Sequence, residues 1–146
     1  MMLFLQYMNN GRAIKIVTVD THIIIWDALD PNRLSKNARI EYDKANQSDG
    51  LLFCDISLWE ISMLINKKRV EIDISFLEFI NLLKKSRNYV FQSITPKIAD
   101  ISTRLITEIN SDPADRLIAA TSLCFNSPLI TADKNLLDST VLKTIW

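Results

Sequence analysis

The chain is nearly free of glycine: Gly11 and Gly50 are the two among 146 residues, and they stand far apart. Neither a Walker loop nor a dinucleotide fingerprint can be built without clustered glycines, so phosphate binding by such loops is excluded. Histidine occurs once, at His22, and cysteine twice, at Cys54 and Cys124. That inventory is too thin for a structural zinc site. Both cysteines lie in apolar runs, LLFCD and TSLCF, and read as small buried hydrophobes in a reducing compartment rather than as a disulfide. Neither sign of charge is in excess, since Lys plus Arg and Asp plus Glu each total 17. Without a global basic field, a role on nucleic acid needs a local cationic patch or a bound cation. No apolar run is long enough to cross a bilayer; the opening MMLFLQYM stops after eight residues and has no positive leader. The expectation is a cytoplasmic chain with no membrane partner.

What is present suits one domain with a proper core, at 48% hydrophobic and 23% charged residues. Residues 1–13 read as an N-terminal extension, expected to be flexible, and 14–146 as the domain. No repeat or Pro/Gly linker divides it. β-branched residues with little alternation predict a buried strand over 14–20. Further strands are predicted at 51–55, 89–94, 128–133 and 141–146. Helices are predicted at 21–29, 35–47, 58–68, 75–87, from Thr95-Pro96 to about 110, and from Asp112-Pro113 to 125. Strands alternating with helices imply an α/β three-layer sandwich around a central parallel sheet of four or five strands.

Four acids stand out against this pattern. Asp20 ends the run IKIVTVD, and Asp133 ends PLITAD. In open parallel sheets, ligands sit beyond the carboxyl ends of the strands. A plain helix N-cap accounts for either acid equally well. Glu60, in SLWEIS, follows Ser57 at capping-box spacing, yet shares a helical face with Ile56, Met63 and Leu64. Ser75 and Glu78 repeat that spacing and read as a cap alone. Asp115, in SDPADRLIAATS, is either a dipole-favouring acid behind the cap Asp112 or an inward-facing group, since Ile118, Ala119 and Ser122 follow on its face. Four carboxylates opening on one end of a sheet repel one another and are pushed toward protonation. A hard cation such as Mg2+ or Mn2+ relieves that, activates water and offsets phosphate charge.

The ordered set Asp20, Glu60, Asp115 and Asp133, in the contexts VDTH, SLWEIS, DPADRLIAA and LITAD, resembles the PIN-domain ribonucleases. Within them it is similar to the VapC-type toxins of bacterial type II toxin–antitoxin pairs, over about Ile14 to Trp146. The motif DTH..IW and the terminal Trp also match that subgroup, while Ser111 stands where many relatives have His before DP. The resemblance implies a Mg2+- or Mn2+-dependent endoribonuclease, a homodimer, and a cognate VapB-like antitoxin whose tail covers the acidic pocket. It implies that Asp20, Glu60, Asp115 and Asp133 are catalytic and hold or orient the metal. Thr21 and Thr131 flank two of the acids and either support a carboxylate or serve as caps.

Other residues have ordinary explanations. His22 reads as packing or as a support behind the acids, outside the site itself. Trp26, Trp59 and Trp146 lie in apolar runs and read as core or dimer interface rather than as base-stacking platforms. Lys67, Lys68 and Arg69 read as a solvated helix end. Arg116 is a rim residue that contacts RNA or pairs with Asp112. Two rivals remain at this level: a catalytically silent PIN-like module that binds RNA or protein, and a phosphoaspartate enzyme or receiver. Phosphatases of the latter kind usually carry DxD after the first strand, and Asp20-Thr21-His22 lacks the second acid.

Overall fold

The computed structural model describes residues 15–105, 109 and 112–146. The expected N-terminal extension and Ser111 lie outside them. A five-stranded sheet forms the middle layer, with every neighbouring pair parallel and the order β3-β2-β1-β4-β5. The strands are β1 (Val17–Val19), β2 (Leu51–Cys54), β3 (Tyr89–Gln92), β4 (Leu129–Ile130) and β5 (Thr144–Ile145). The helices are α1 (Thr21–Leu29), α2 (Lys36–Asn46), α3 (Ile56–Asn66), α4 (Phe76–Ser86), α5 (Pro96–Arg104), α6 (Pro113–Cys124) and α7 (Lys134–Leu137).

Strand alternation divides the core in two. Val17, Val19, Leu51 and Phe53 face one layer and pack with Ile23 and Ile24 of α1, Ala38 and Tyr42 of α2, Ile61 of α3, and Phe79 and Leu83 of α4. Cys54 and Leu129 face the other layer, with Ile98 of α5, Ile118 and Ala119 of α6, and Leu136 of α7. Cys54 is buried as expected; Cys124 is half-buried, and both thiols are free. Gly50 makes the entry to β2 possible: its φ is +105°, and a Cβ there would meet the Asn88 carbonyl oxygen at 2.8 Å.

The departures from expectation have local causes. α3 starts at Ile56, not 58, because the chain turns directly off β2 at Asp55. Ser57 therefore lies inside the helix and is no cap. By contrast, Ser75 caps α4 as expected, accepting from the Glu78 N–H at 3.1 Å. α5 stops at Arg104, well short of 110, with Leu105 closing it. β4 is two residues long; Thr131 still donates its N–H to Ile145 O, and the chain then turns to build the helix cap at Asp133. Trp59 is 59% exposed, which removes it from the core.

β1 lies between β2 and β4, so the chain moves one way across the sheet from β1 to β3 and then returns to the other side of β1. This reversal leaves a crevice beyond the carboxyl ends of β1 and β4. At the opposite end of α1, Asp27 has a side chain only 2% exposed. It accepts from Arg39 Nη1 at 2.9 Å, Arg87 Nε at 2.8 Å and the Tyr42 hydroxyl at 2.8 Å, which ties α1, α2 and the end of α4 together. Asp27→Ala leaves two guanidinium groups without their shared acceptor. It should cost about 3–5 kcal/mol by chemical denaturation, and a loss under 1 kcal/mol would show that the network contributes little.

Candidate active site

Asp20 leaves β1 at the strand-order reversal and caps α1. One carboxylate oxygen, Oδ1, accepts the Thr21 N–H at 2.8 Å, and the other, Oδ2, accepts the Thr131 hydroxyl at 2.7 Å. The residue is only 5% exposed. The Thr131 hydroxyl also accepts the Asp133 N–H at 3.0 Å. One threonine after β4 therefore links the acid that follows β1 to the acid that follows β4. Asp133 is half-buried and caps α7, accepting the Asn135 N–H at 2.8 Å.

Glu60 arrives from α3, one turn beyond Ser57. Thr21 Oγ1 donates to Glu60 Oε1 at 2.5 Å and lies 2.8 Å from Ser57 Oγ. A hydroxyl carries one proton, so with Thr21 donating to Glu60, Ser57 is the donor to Thr21. The capping-box spacing concealed this role, since Ser57 braces the threonine that holds Glu60. The two threonines thus do for Glu60 and Asp20 what sequence left undecided between support and capping.

Asp115 is the third residue of α6 and is 8% exposed. Asp112 caps that helix, accepting the Ala114 N–H at 2.9 Å and the Asp115 N–H at 3.4 Å. Burial pushes the Asp115 carboxyl up to about 7, and the charges of Asp20, Asp112, Asp133 and Glu60 push the same way. Burial also raises Asp20, opposed by its hydrogen bonds from Thr131 and Thr21, with Asp133 adding repulsion. Glu60 is raised by burial against the Thr21 hydrogen bond, and by Asp20 and Asp112. The four acids singled out in the sequence therefore lie within electrostatic reach of one another, with Asp112 as an exposed fifth. Asp55, which follows β2, is raised by burial but opposed by Lys84 of α4 rather than joined to the cluster.

His22 is exposed rather than packed away and lies within electrostatic reach of Asp20 and Glu60. Sequence reasoning placed it outside the site; its proximity to Thr21 was the available signal. Arg116 is half-buried, one residue beyond Asp115.

The donors are all carboxylate oxygens, mutually repelling and poorly hydrated, which suits a hard divalent cation in chemistry and in charge. Among the described residues, no three His, Cys, Asp or Glu side chains are arranged to hold one ion as they stand. Asp20 and Glu60 each accept from a threonine, and Asp133 accepts from the helix it caps, which leaves each carboxylate further lone pairs. The fit is one of donor type and charge rather than of a ready coordination shell.

The PIN domain model matches residues 17–140, a span containing all four acids. The chain belongs to the PIN-domain family. This PIN domain is 32% identical over 120 residues to Ribonuclease VapC22 of Mycobacterium tuberculosis (strain ATCC 25618 / H37Rv), covering 82% of the chain and 88% of the relative. Its fold matches a chain in the crystal structure of VapBC2 from Rickettsia felis bound to a promoter DNA fragment, with a TM-score of 0.67 at 15% identity, covering 88% of this chain and 96% of that one. A toxin-antitoxin complex from Klebsiella pneumoniae gives a TM-score of 0.56 at 18% identity, over 84% and 91% of the two chains. At these identities the structural matches speak to the fold, which is the PIN-like parallel sandwich.

The raised Asp115 carboxyl has a consequence for stability. Folding favours its protonated form, so its contribution is fully present below the ordinary value of 3.8 and is lost as pH rises through about 7. In chelator-treated protein, Asp115→Asn should match the parent in thermal stability near pH 4. At pH 8 it should exceed the parent by on the order of 2 kcal/mol, allowing for screening. An equal gap at both pH values would remove the electrostatic explanation.

Proposed function

We propose that this PIN domain is an endoribonuclease toxin that hydrolyses RNA phosphodiester bonds and is held inactive by a cognate VapB-like antitoxin. The carrying observation is the convergence of Asp20, Glu60, Asp115 and Asp133 from four separate elements at the strand-order reversal, with Asp115 pushed up to about 7. The identity to a protein named as a ribonuclease supports the activity, and the likeness to chains from toxin–antitoxin complexes supports the partner. A homodimer in the cytoplasm is part of the same reading.

Mg2+ or Mn2+, when bound, supplies a water of lowered pKa and positive charge against the scissile phosphate. Asp20, Asp115 and Asp133 would hold the cation, and Glu60 would complete or orient the set. Thr131 fixes the orientation of Asp20 through its hydroxyl, and Thr21, braced by Ser57, fixes that of Glu60. Such outer partners set where a ligand oxygen points, and their loss typically costs 10–100-fold in affinity or rate. Arg116, beside Asp115, contacts the RNA backbone at the rim. Hydrolysis by water leaves a 5′-phosphate and a 3′-hydroxyl.

The absence of a ready three-ligand cluster among the described residues favours one other reading, a silent module that binds RNA or protein without cutting. Calorimetry with Mg2+ and Mn2+, paired with end-mapping of cleaved RNA, separates the two. The nuclease reading expects cation binding that Asp20→Asn removes and cleavage that Asp20→Asn and Glu60→Gln abolish. It also expects Thr131→Val to lower cleavage about 10–100-fold without unfolding. No cation binding and no cleavage by the parent chain would favour the silent module.

A further inference from the structure

An aromatic and cationic strip runs from the acidic pocket across the adjoining surface. His22 follows Thr21, the residue that holds Glu60, and is exposed. One helical turn later, the ring of the half-buried Trp26 lies 5.8 Å from the His22 ring, tilted by 54°. Trp146 lies 6.1 Å beyond Trp26, centroid to centroid, and is 37% exposed. The backbone anchors it to the same pocket: Ile145 O accepts the N–H of Thr131, whose hydroxyl holds Asp20. The Arg33 guanidinium sits 4.2 Å over the Trp26 ring. Among the described residues Arg33 forms no ion pair, so its remaining N–H groups are available to an anion.

We propose that His22, Trp26 and Trp146, with Arg33, form a track that receives unpaired RNA bases and a flanking phosphate beside the acidic pocket. This rests on reading that pocket as a site that acts on RNA. Three features favour a single strand as the occupant. Exposed rings close in series offer stacking partners to unpaired bases, which a duplex keeps stacked internally. An exposed guanidinium, without an ion pair among the described residues, suits a phosphate on the same strip. One end, His22, adjoins Thr21, which holds Glu60; at the other, Trp146 follows Ile145, whose carbonyl pairs with the backbone of Thr131, so a strand stacked there passes the acids. Trp26 is covered by Arg33 on one face and serves as the support. Trp146 and His22 are the exposed platforms.

The test is fluorescence anisotropy of a short labelled single-stranded RNA with the full chain, on ice, with Ca2+ replacing Mg2+ and strand integrity checked on a gel. Trp146→Ala should weaken binding about 5- to 100-fold, the loss of one stacked base. Trp146→Phe should restore most of it, and His22→Ala should weaken it as well. Arg33→Gln should lower the slope of log affinity against log salt by about one. Duplex RNA of the same sequence should bind more weakly than the single strand. In cleavage assays the Trp146→Ala loss should fall on KM with kcat largely kept. The inference is overturned if folded Trp146→Ala and His22→Ala both bind as the parent does, or if duplex and single strand bind equally. It is also overturned if Trp146→Ala changes only the oligomeric mass, which would make the strip an interface between copies. Should Trp146→Ala fail to fold, Trp146→Phe and His22→Ala still decide. A chain that stacks RNA here but cuts none would refute the proposed activity alone; one that cuts equally well as Trp146→Ala would refute the track alone.

Discussion

Asp20 sits where the strand order reverses, and two hydrogen bonds hold it as a buried carboxylate. The Thr21 N–H is fixed by the start of α1, and the Thr131 hydroxyl by the exit of β4. An unpaired charge at this depth costs several kcal/mol, and these two donors offset part of that cost without neutralising it. Because Thr131 also accepts from Asp133, and Thr21 also donates to Glu60, three of the acids are set in place through two hydroxyl groups. The geometry of the pocket therefore depends on small polar side chains more than on the acids. A one-residue shift of β4 against β1 would carry Thr131 away from Asp20 and separate the cluster.

The extent to which the sequence disclosed this varies by residue and for definable reasons. Buried strands and amphipathic helices have strong periodic signals, so the layers and the parallel sheet were legible. Ends of elements were not. β4 was expected through Asp133 because LITAD reads as continuous strand, whereas the strand ends at Ile130 and capping α7 draws the chain out of the sheet after Thr131. The acids could be noticed one by one, but each had a cap as an equally good explanation. Three of the five acids near the pocket do cap helices: Asp20, Asp112 and Asp133. Capping and clustering are compatible because helix N-termini point at the carboxyl ends of the strands in a parallel sandwich. Ser57 was missed for the opposite reason, since its spacing from Glu60 fits a familiar local pattern while its actual partner, Thr21, is 36 positions away. Pairings at such separation leave no mark in a single sequence. The exposure of Trp59 and His22 was also invisible, because an apolar run does not say which of its members faces water.

The two ends of α1 treat a buried aspartate in opposite ways. Asp27 is surrounded by donors, two of them permanently charged, and its lone pairs are matched. Asp20 has donors enough to fix its orientation, but burial raises its carboxyl, and the charge of Asp133 pushes the same way. The far end can thus hold the fold together while the near end works against it. That division lets the acidic cluster carry its repulsion without unfolding the domain.

Repulsion of this kind also links the pocket to whatever occupies it. A ligand that binds the folded state alone stabilises it by about 2.7 kcal/mol at a hundredfold excess over its dissociation constant. For a cluster of like charges, a cation meets that condition through charge alone, and so would a basic side chain from a partner. Both would compete for the same carboxylates, since an acid group turned toward a guanidinium is no longer turned toward a metal ion. Inhibition by a cationic segment would then need no change of fold, only removal of the electrostatic conditions under which the cation binds. The proposed antitoxin reading asks no more of this site than that.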